Sequence, residues 1–594
     1  MRHLSGVDAS FLHLETPEMP MHVGSLNIFD LPEGYTGDFY EDVKAHISGR
    51  MHLAEVFEHK LAQIPFELSN PVWVDDNDID IDYHIRRVVV SKPGTFKQLE
   101  QLVGRLHSSL LDRSRPLWEF YVIEGLQTGQ PAIYAKVHHA VVDGQAGVAL
   151  AKALYDLTPE PRPIKAPRAR SRGSQYQLGV AELASAAVQN TVQQYIKLFT
   201  TLPNAMRAVA SATMPGFAGG QFTKFGLPQN WTLGPKTPLN VSITNQRSFA
   251  ARSVSLAEVK QIAKRAEGTV NDIVLAASAG ALRRYLSDYN KLPQKPLTAA
   301  VPVSLREAGN TDLNNQVSMI LVSLATDIAD PLERLKSIIA SSKSAKELSG
   351  SLKAAIPTDF PSFGAPWIMG GFALLFGRSR ISDNLPPLAN VAISNVPGAP
   401  VPLYMAGAKL ATYYPVSIPA HGVALNITVQ SYNGSLDYGL TACRRALPDV
   451  DDLVEYLVEA HRELRDLVLG PQAAVAIAKP AQLQPMQILQ PPRAVEHVPV
   501  AAQPKKRAAA KPKKVTAAKV EAKARQSKAV EAKAAASRPV ESKAGVPKRE
   551  RAAANKVKGE SATAVLAATK GKTRTKTAPR SVAEGAMRPG KAVS

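Results

Sequence analysis

The sequence predicts an α/β protein of two domains followed by a disordered, basic C-terminal tail. Three observations predict it. Alternating apolar runs and amphipathic helical stretches recur over residues 1–185 and again over 240–468. At 594 residues the chain is too long for one ordinary core. Beyond about residue 470 the apolar pattern stops, and Lys and Ala take over.

The first unit, 1–185, reads as mixed α/β. Residues 83–91 (YHIRRVVVS) form a candidate strand. Residues 96–112 read as an amphipathic helix, with Leu99, Leu102, Leu106 and Leu110 near one face. Residues 116–126 (PLWEFYVIEGL) and 132–142 (AIYAKVHHAVV) are two more strands. Gly144 and Gly147 loosen the turn that follows, and a helix restarts at 148–157. A Pro/Arg/Ser loop runs from about 160, and residues 186–239 read as a crossover or linker too apolar to float freely.

The second unit, 240–468, opens with a strand and two helices over 248–289. Ser255 is placed to cap the first helix, with Glu258 at capping-box spacing. A strand follows at 295–305. Residues 422–442 read as a hairpin, with Val423, Leu425, Ile427 and Val429 on one face and Asn433-Gly434 as the turn. An amphipathic helix at 450–468 closes the unit.

The tail, 469–594, is Pro/Gln-rich and then Lys/Ala-rich. Residues 501–594 carry 25 Lys/Arg against 6 Asp/Glu, so most of the chain's net charge of +20 sits there. The segment has no aromatic residue and cannot bury enough surface to offset its ordering entropy. Such a charge favours a polyanionic partner: nucleic acid, anionic lipid or an inclusion surface. Cys443 is the single cysteine, which excludes an intrachain disulfide and a Cys-based zinc site. No apolar run is long enough to span a bilayer, and the N-terminus lacks the apolar core of a secretory signal. The expectation is a cytoplasmic protein, peripheral at an inner membrane or a lipid-inclusion surface.

The chemistry centres on residues 138–144, His138-His139-Ala140-Val141-Val142-Asp143-Gly144. In a strand, Ile133, Ala135, Val137 and His139 share one face, while Tyr134, Lys136 and His138 share the other. The two imidazoles therefore point apart. An imidazole at a strand end can take a hydroxyl proton near neutrality. A purely structural pair is the plainer alternative, and a metal pair would lack a third ligand at local spacing. Asp143 can hold the loop, and Gly144 permits a tight bend.

These residues sit among other motifs in a fixed order. LSGVDASFLHLETPEMPMHVG opens the chain, and PVWVDDNDIDIDYHIRR follows. Pro116, Leu117 and Trp118 form a PLW element ahead of HHAVVDG. NDIVLA at 271–276, PVSLR at 302–306, SNVPGAP at 394–400 and LNITVQSYNGSLDYG complete the series. Together they resemble the bacterial wax ester synthase/diacylglycerol acyltransferase family, over about residues 1–468. That family lies in the CoA-dependent acyltransferase superfamily, with chloramphenicol acetyltransferase and peptide-synthetase condensation domains.

The resemblance implies two chloramphenicol-acetyltransferase-like domains around a central substrate tunnel. It implies transfer from acyl-CoA, as substrate, to diacylglycerol or a fatty alcohol, with no cofactor, no metal and no covalent acyl-enzyme. It makes His139 the general base and gives His138 a supporting role. Asp143 becomes a loop brace. Asn271 becomes an oxyanion donor, with helix N-capping as the competing role for that residue. The aromatic segment 360–378, with Phe360, Trp367 and Phe376, is a candidate tunnel lining or membrane-facing stretch, and core packing is the alternative. Arg378 and Arg380 suit phosphates or a solvated edge. The competing functions are acylation of a small polar alcohol, and tethering of lipid inclusions through the basic tail. A condensation domain would need carrier domains, which this chain lacks.

Overall fold

The computed structural model describes residues 2–62, 70–142, 144–165, 234–304, 317–353 and 386–470. Two six-stranded sheets dominate this body.

The first part of the chain runs β1 (Arg2–His3), α1 (Gly6–Leu14), β2 (His22–Asp30), α2 (Phe39–Ser48), β3 (His59–Ala62), β4 (Val72–Asp75), α3 (Ile81–His84) and β5 (Ile85–Val89). It continues through α4 (Phe96–His107), β6 (Trp118–Glu124), β7 (Ala132–His138) and α5 (Gly144–Leu154). The second part runs β8 (Arg247–Ser255), α6 (Leu256–Arg265), α7 (Val270–Asp288), β9 (Thr298–Ser304), β10 (Val317–Ser323) and α8 (Pro331–Lys353). Then come β11 (Val391–Val396), β12 (Tyr404–Met405), β13 (Ala408–Val416), β14 (Leu425–Tyr432), β15 (Ser435–Cys443) and α9 (Val450–Leu469).

One large sheet has the order β12-β13-β2-β7-β6-β5, and the other β10-β9-β11-β14-β15-β8. A small third sheet has the order β1-β4-β3. The mixed α/β class is as expected, but the sheets do not follow chain order. β12 and β13 come from the second part, yet β13 pairs antiparallel with β2, from Lys409 opposite Asp30 to Val416 opposite Gly24. A crossover strand thus completes the N-terminal sheet.

That crossover also ties the sheets together. Gly439 of β15 lies so close to β13 that a Cβ there would stand 1.8 Å from the Pro415 carbonyl oxygen. The Asp437 carboxylate, wholly buried, accepts from Tyr413 N–H at 2.9 Å and from the Ser253 and Ser435 hydroxyls. One apolar cluster spans the junction: Leu26 and Ile28 of β2, Leu99 and Val103 of α4, Phe249 of β8, and Tyr414 of β13. The second sheet packs its other core against α6, α7 and α9 through Val259, Leu275, Leu282 and Leu457.

Several local expectations need correction. The helix expected over 96–112 stops at His107. Ser108 caps it, its hydroxyl donating to the Gly104 carbonyl, and Leu110 is exposed. The strand expected to reach Val142 ends at His138, and α5 begins at Gly144 rather than 148. Ser255 does cap α6, accepting from Glu258 N–H, but the Glu258 carboxylate turns to His461 of α9 at 3.2 Å instead of closing the box. The hairpin forms as expected, with Asn433 and Gly434 both at positive φ, 43° and 87°. Val423 falls just outside its strand, in a bridge to Ala420.

Candidate active site

β7 delivers the two histidines. It is an inner strand, between β2 and β6, and both of its faces are covered. Ile133 and Val137 enter one apolar cluster, while Ala132 and Tyr134 enter another. Strand parity therefore holds up to His138. His139 lies one residue beyond, where its backbone N–H still donates to the Met21 carbonyl at 2.8 Å.

The His139 ring stacks on Phe11 of α1, with centroids 4.0 Å apart and planes within 18°. Its Nδ1 is buried with no hydrogen-bond partner among the described residues, although the residue as a whole stays partly exposed. Burial pushes the imidazole down to about 4, its own backbone carbonyl opposes that shift, and neighbouring His138 reinforces it. The ring is therefore neutral at physiological pH.

His138 is fully buried and faces the other way. Its Nδ1 accepts from Ala140 N–H at 3.1 Å, so the ring proton sits on Nε2. That nitrogen faces Glu15 Oε1 at 3.4 Å, too long and too poorly aimed for a hydrogen bond. Glu15 also accepts from Met21 N–H at 2.9 Å, and from Arg113 Nε at 3.1 Å and its terminal nitrogen at 2.8 Å. Burial alone would raise this carboxyl, but His138, Arg113 and the Met21 N–H outweigh it and bring it down to about 2.

A second buried polar group lies along the same strand face as His138. Lys136 Nζ meets Glu119 Oε2 at 2.8 Å and the Ser109 carbonyl at 3.2 Å, and the Tyr121 hydroxyl donates to Glu119 at 2.6 Å. Burial lowers the lysine, with Glu119 opposing. Further along, His107 at the end of α4 accepts from the Tyr134 hydroxyl at 2.7 Å and donates to the Ser417 carbonyl at 2.8 Å. It therefore reaches the chain just past the crossover strand.

Asn271 is the second residue of α7, and it is partly exposed. It is not the cap. Thr269 caps the helix by accepting from Asp272 N–H, and the Asp272 carboxylate returns to Thr269 N–H at 2.8 Å. Asp143 lies outside the described residues, as do the aromatic segment 360–378, Arg378 and Arg380, and the tail. The structure thus brings His139 and His138 together with Phe11, Glu15, Met21 and Arg113. Phe11, Glu15 and Met21 lie in the opening LSGVDASFLHLETPEMPMHVG segment, but no local pattern gives them or Arg113 a place beside His139, because that grouping depends on contacts distant in the chain.

Comparison with known proteins gives this geometry a relationship. Residues 4–274 match the wax ester synthase/diacylglycerol acyltransferase catalytic domain, and residues 313–465 match the C-terminal domain of the same proteins. A Mycobacterium tuberculosis H37Rv protein that carries a diacylglycerol O-acyltransferase designation is 37% identical over 481 residues, covering 78% of this chain and 100% of the relative. The chain belongs to the wax ester synthase/diacylglycerol acyltransferase family. Another relative, the O-acyltransferase WSD of Acinetobacter baylyi, is 34% identical over 475 residues, 77% of this chain and 96% of its own length. The solved wax ester synthase/diacylglycerol acyltransferase of Marinobacter aquaeolei VT8 is similar in structure. Its TM-score is 0.56 at 32% identity, covering 79% of this chain and 99% of that one. These family relatives are spanned almost completely, so the tail lies beyond their length. Among the described residues, no helix is long and apolar enough to cross a membrane.

Proposed function

We propose that the protein transfers a long acyl chain from acyl-CoA to the hydroxyl of diacylglycerol or of a fatty alcohol, making triacylglycerol or wax ester. The observation that carries the catalytic assignment is the state of His139: neutral, shielded and held at the end of an inner strand. Its unprotonated nitrogen takes the acceptor's hydroxyl proton. The alkoxide attacks the thioester carbonyl to form a tetrahedral oxyanion. The C–S bond breaks, and the imidazolium returns its proton to the leaving thiolate of CoA.

Asn271 is proposed as the donor to that oxyanion. Thr269 and Asp272 already cap α7, so capping does not account for Asn271, and the helix N-terminus adds positive potential beside it. Such a donor is worth about 3 kcal/mol in the transition state. His138 orients the residue-139 segment, and Asp143 braces the loop that follows. The acyl chain is proposed to run in a tunnel between the two sheet domains, with 360–378 as lining. Each buried methylene adds about 0.8 kcal/mol.

The tail supports a second role. It exceeds the length of the family relatives and carries most of the net charge. We infer that it binds a polyanion and holds the enzyme at a membrane, an inclusion or the nucleoid. An acceptor panel tests the catalytic reading: diacylglycerol, hexadecanol and a short polar alcohol, each with palmitoyl-CoA. Ester formation with either lipid acceptor is expected. Turnover confined to the short alcohol would move the protein to the small-acceptor class.

A further inference from the structure

We propose that Phe11 and Glu15, on α1 and the turn after it, are positioning residues that fix His139 in its working orientation. This rests on the reading of His139 as the base.

Phe11 lies nearly parallel to the imidazole at 4.0 Å, an aromatic contact that limits ring rotation and keeps water from one face. Glu15 acts through the backbone. Its Oε1 holds Met21 N–H, and the Met21 carbonyl holds His139 N–H. The same carboxylate faces His138, so both histidines are referenced to one group. Arg113 locks α1 in place, donating to Glu15 Oε2 and, at 2.6 Å, to the Leu12 carbonyl. Ser5 caps the helix at its other end, and Leu4, Ala9 and Leu12 pack with Leu117 and Ala140, the residue next to His139. The helix is therefore anchored at both ends, and one ring projects onto the imidazole. Misplacing a reacting group by about 1 Å can cost on the order of a hundredfold in rate.

The test compares Phe11→Ala, Phe11→Leu, Phe11→Tyr, Glu15→Gln and His139→Ala in the full-length protein, with melting temperature and oligomeric state checked for each. Phe11→Ala and Phe11→Leu are expected to lower kcat at least tenfold, with KM for acyl-CoA within twofold of the parent. Phe11→Tyr, which keeps the flat ring, is expected to retain kcat within about threefold. Glu15→Gln keeps an acceptor for Met21 but loses the charge, and is expected to fall between them. Should Phe11→Ala fail to fold, the Leu and Tyr pair carries the comparison. Parent-like kcat in Phe11→Leu, or a loss confined to melting temperature, overturns the positioning role while an inactive His139→Ala leaves the base assignment standing. An active His139→Ala overturns both.

Discussion

At the scale of single residues, His139 combines two properties that usually oppose each other. It is shielded, which weakens it as a base, yet shielding also keeps it unprotonated down to about pH 4. The consequence for rate is specific. An imidazole of ordinary pKa would lose half its basic form by about pH 6.5 and nearly all of it by about pH 4. Here kcat/KM is expected to stay level from pH 8 to about 5 and to fall only as pH nears 4; a half-maximal point near 6.5 in the pH–rate profile contradicts this. Stability follows the same sign. The unfolded histidine takes its proton below about 6.5 and the folded one only near 4, so this contribution is lost as pH falls between them. Glu15, held at about 2, adds stability that is present above the usual carboxylate range and is lost as pH drops toward 2. The HHAVVDG pattern made His139 visible in the sequence, because a strand end and a glycine turn are local signals. Phe11 carried no such signal: it meets the imidazole because α1 packs against Leu117 and Ala140, contacts distant in the chain.

At the scale of elements, α7 decides against the capping alternative for Asn271. Asn271 followed by Asp272 looks like a start signal, but Thr269 with Asp272 makes the reciprocal pair of bonds. Thr269→Ala is expected to destabilise the protein by about 1 kcal/mol, read as a shift of the denaturation midpoint, with KM for acyl-CoA unchanged. Helices with strong periodicity, such as α4 and α9, were legible, as was the hairpin β14–β15 with its Asn-Gly turn. β2 and β13 were not. Both strands are largely buried, so neither shows a clean alternation, and their partnership joins distant parts of the chain. Glu258 illustrates the same limit: capping-box spacing was correct, yet a buried histidine from α9 competed for the carboxylate and took it.

At the scale of the whole molecule, the described body and the family relatives end at nearly the same point, while this chain continues for more than a hundred residues that are Pro/Gln-rich and then Lys/Ala-rich and carry most of its net charge. A chain ending at residue 486 is expected to keep acyl-transfer turnover within about twofold of the full protein. It is also expected to lose salt-sensitive binding to anionic vesicles or duplex DNA, since binding through many phosphate contacts weakens steeply as salt rises. Equal binding of both forms across a salt titration would remove the tail from the interaction.

The crossover strand also shapes how the protein must be made. During synthesis, β2 emerges early and pairs with β7 on one side only. Its other edge waits for β13, which leaves the ribosome much later. At about 5–20 residues per second, the interval is on the order of tens of seconds. Throughout it, a nine-residue strand with mostly buried-type side chains offers unpaired backbone groups to any neighbouring nascent chain. The N-terminal sheet thus cannot be completed before the second half is translated, and one strand edge stays open to mispairing until then.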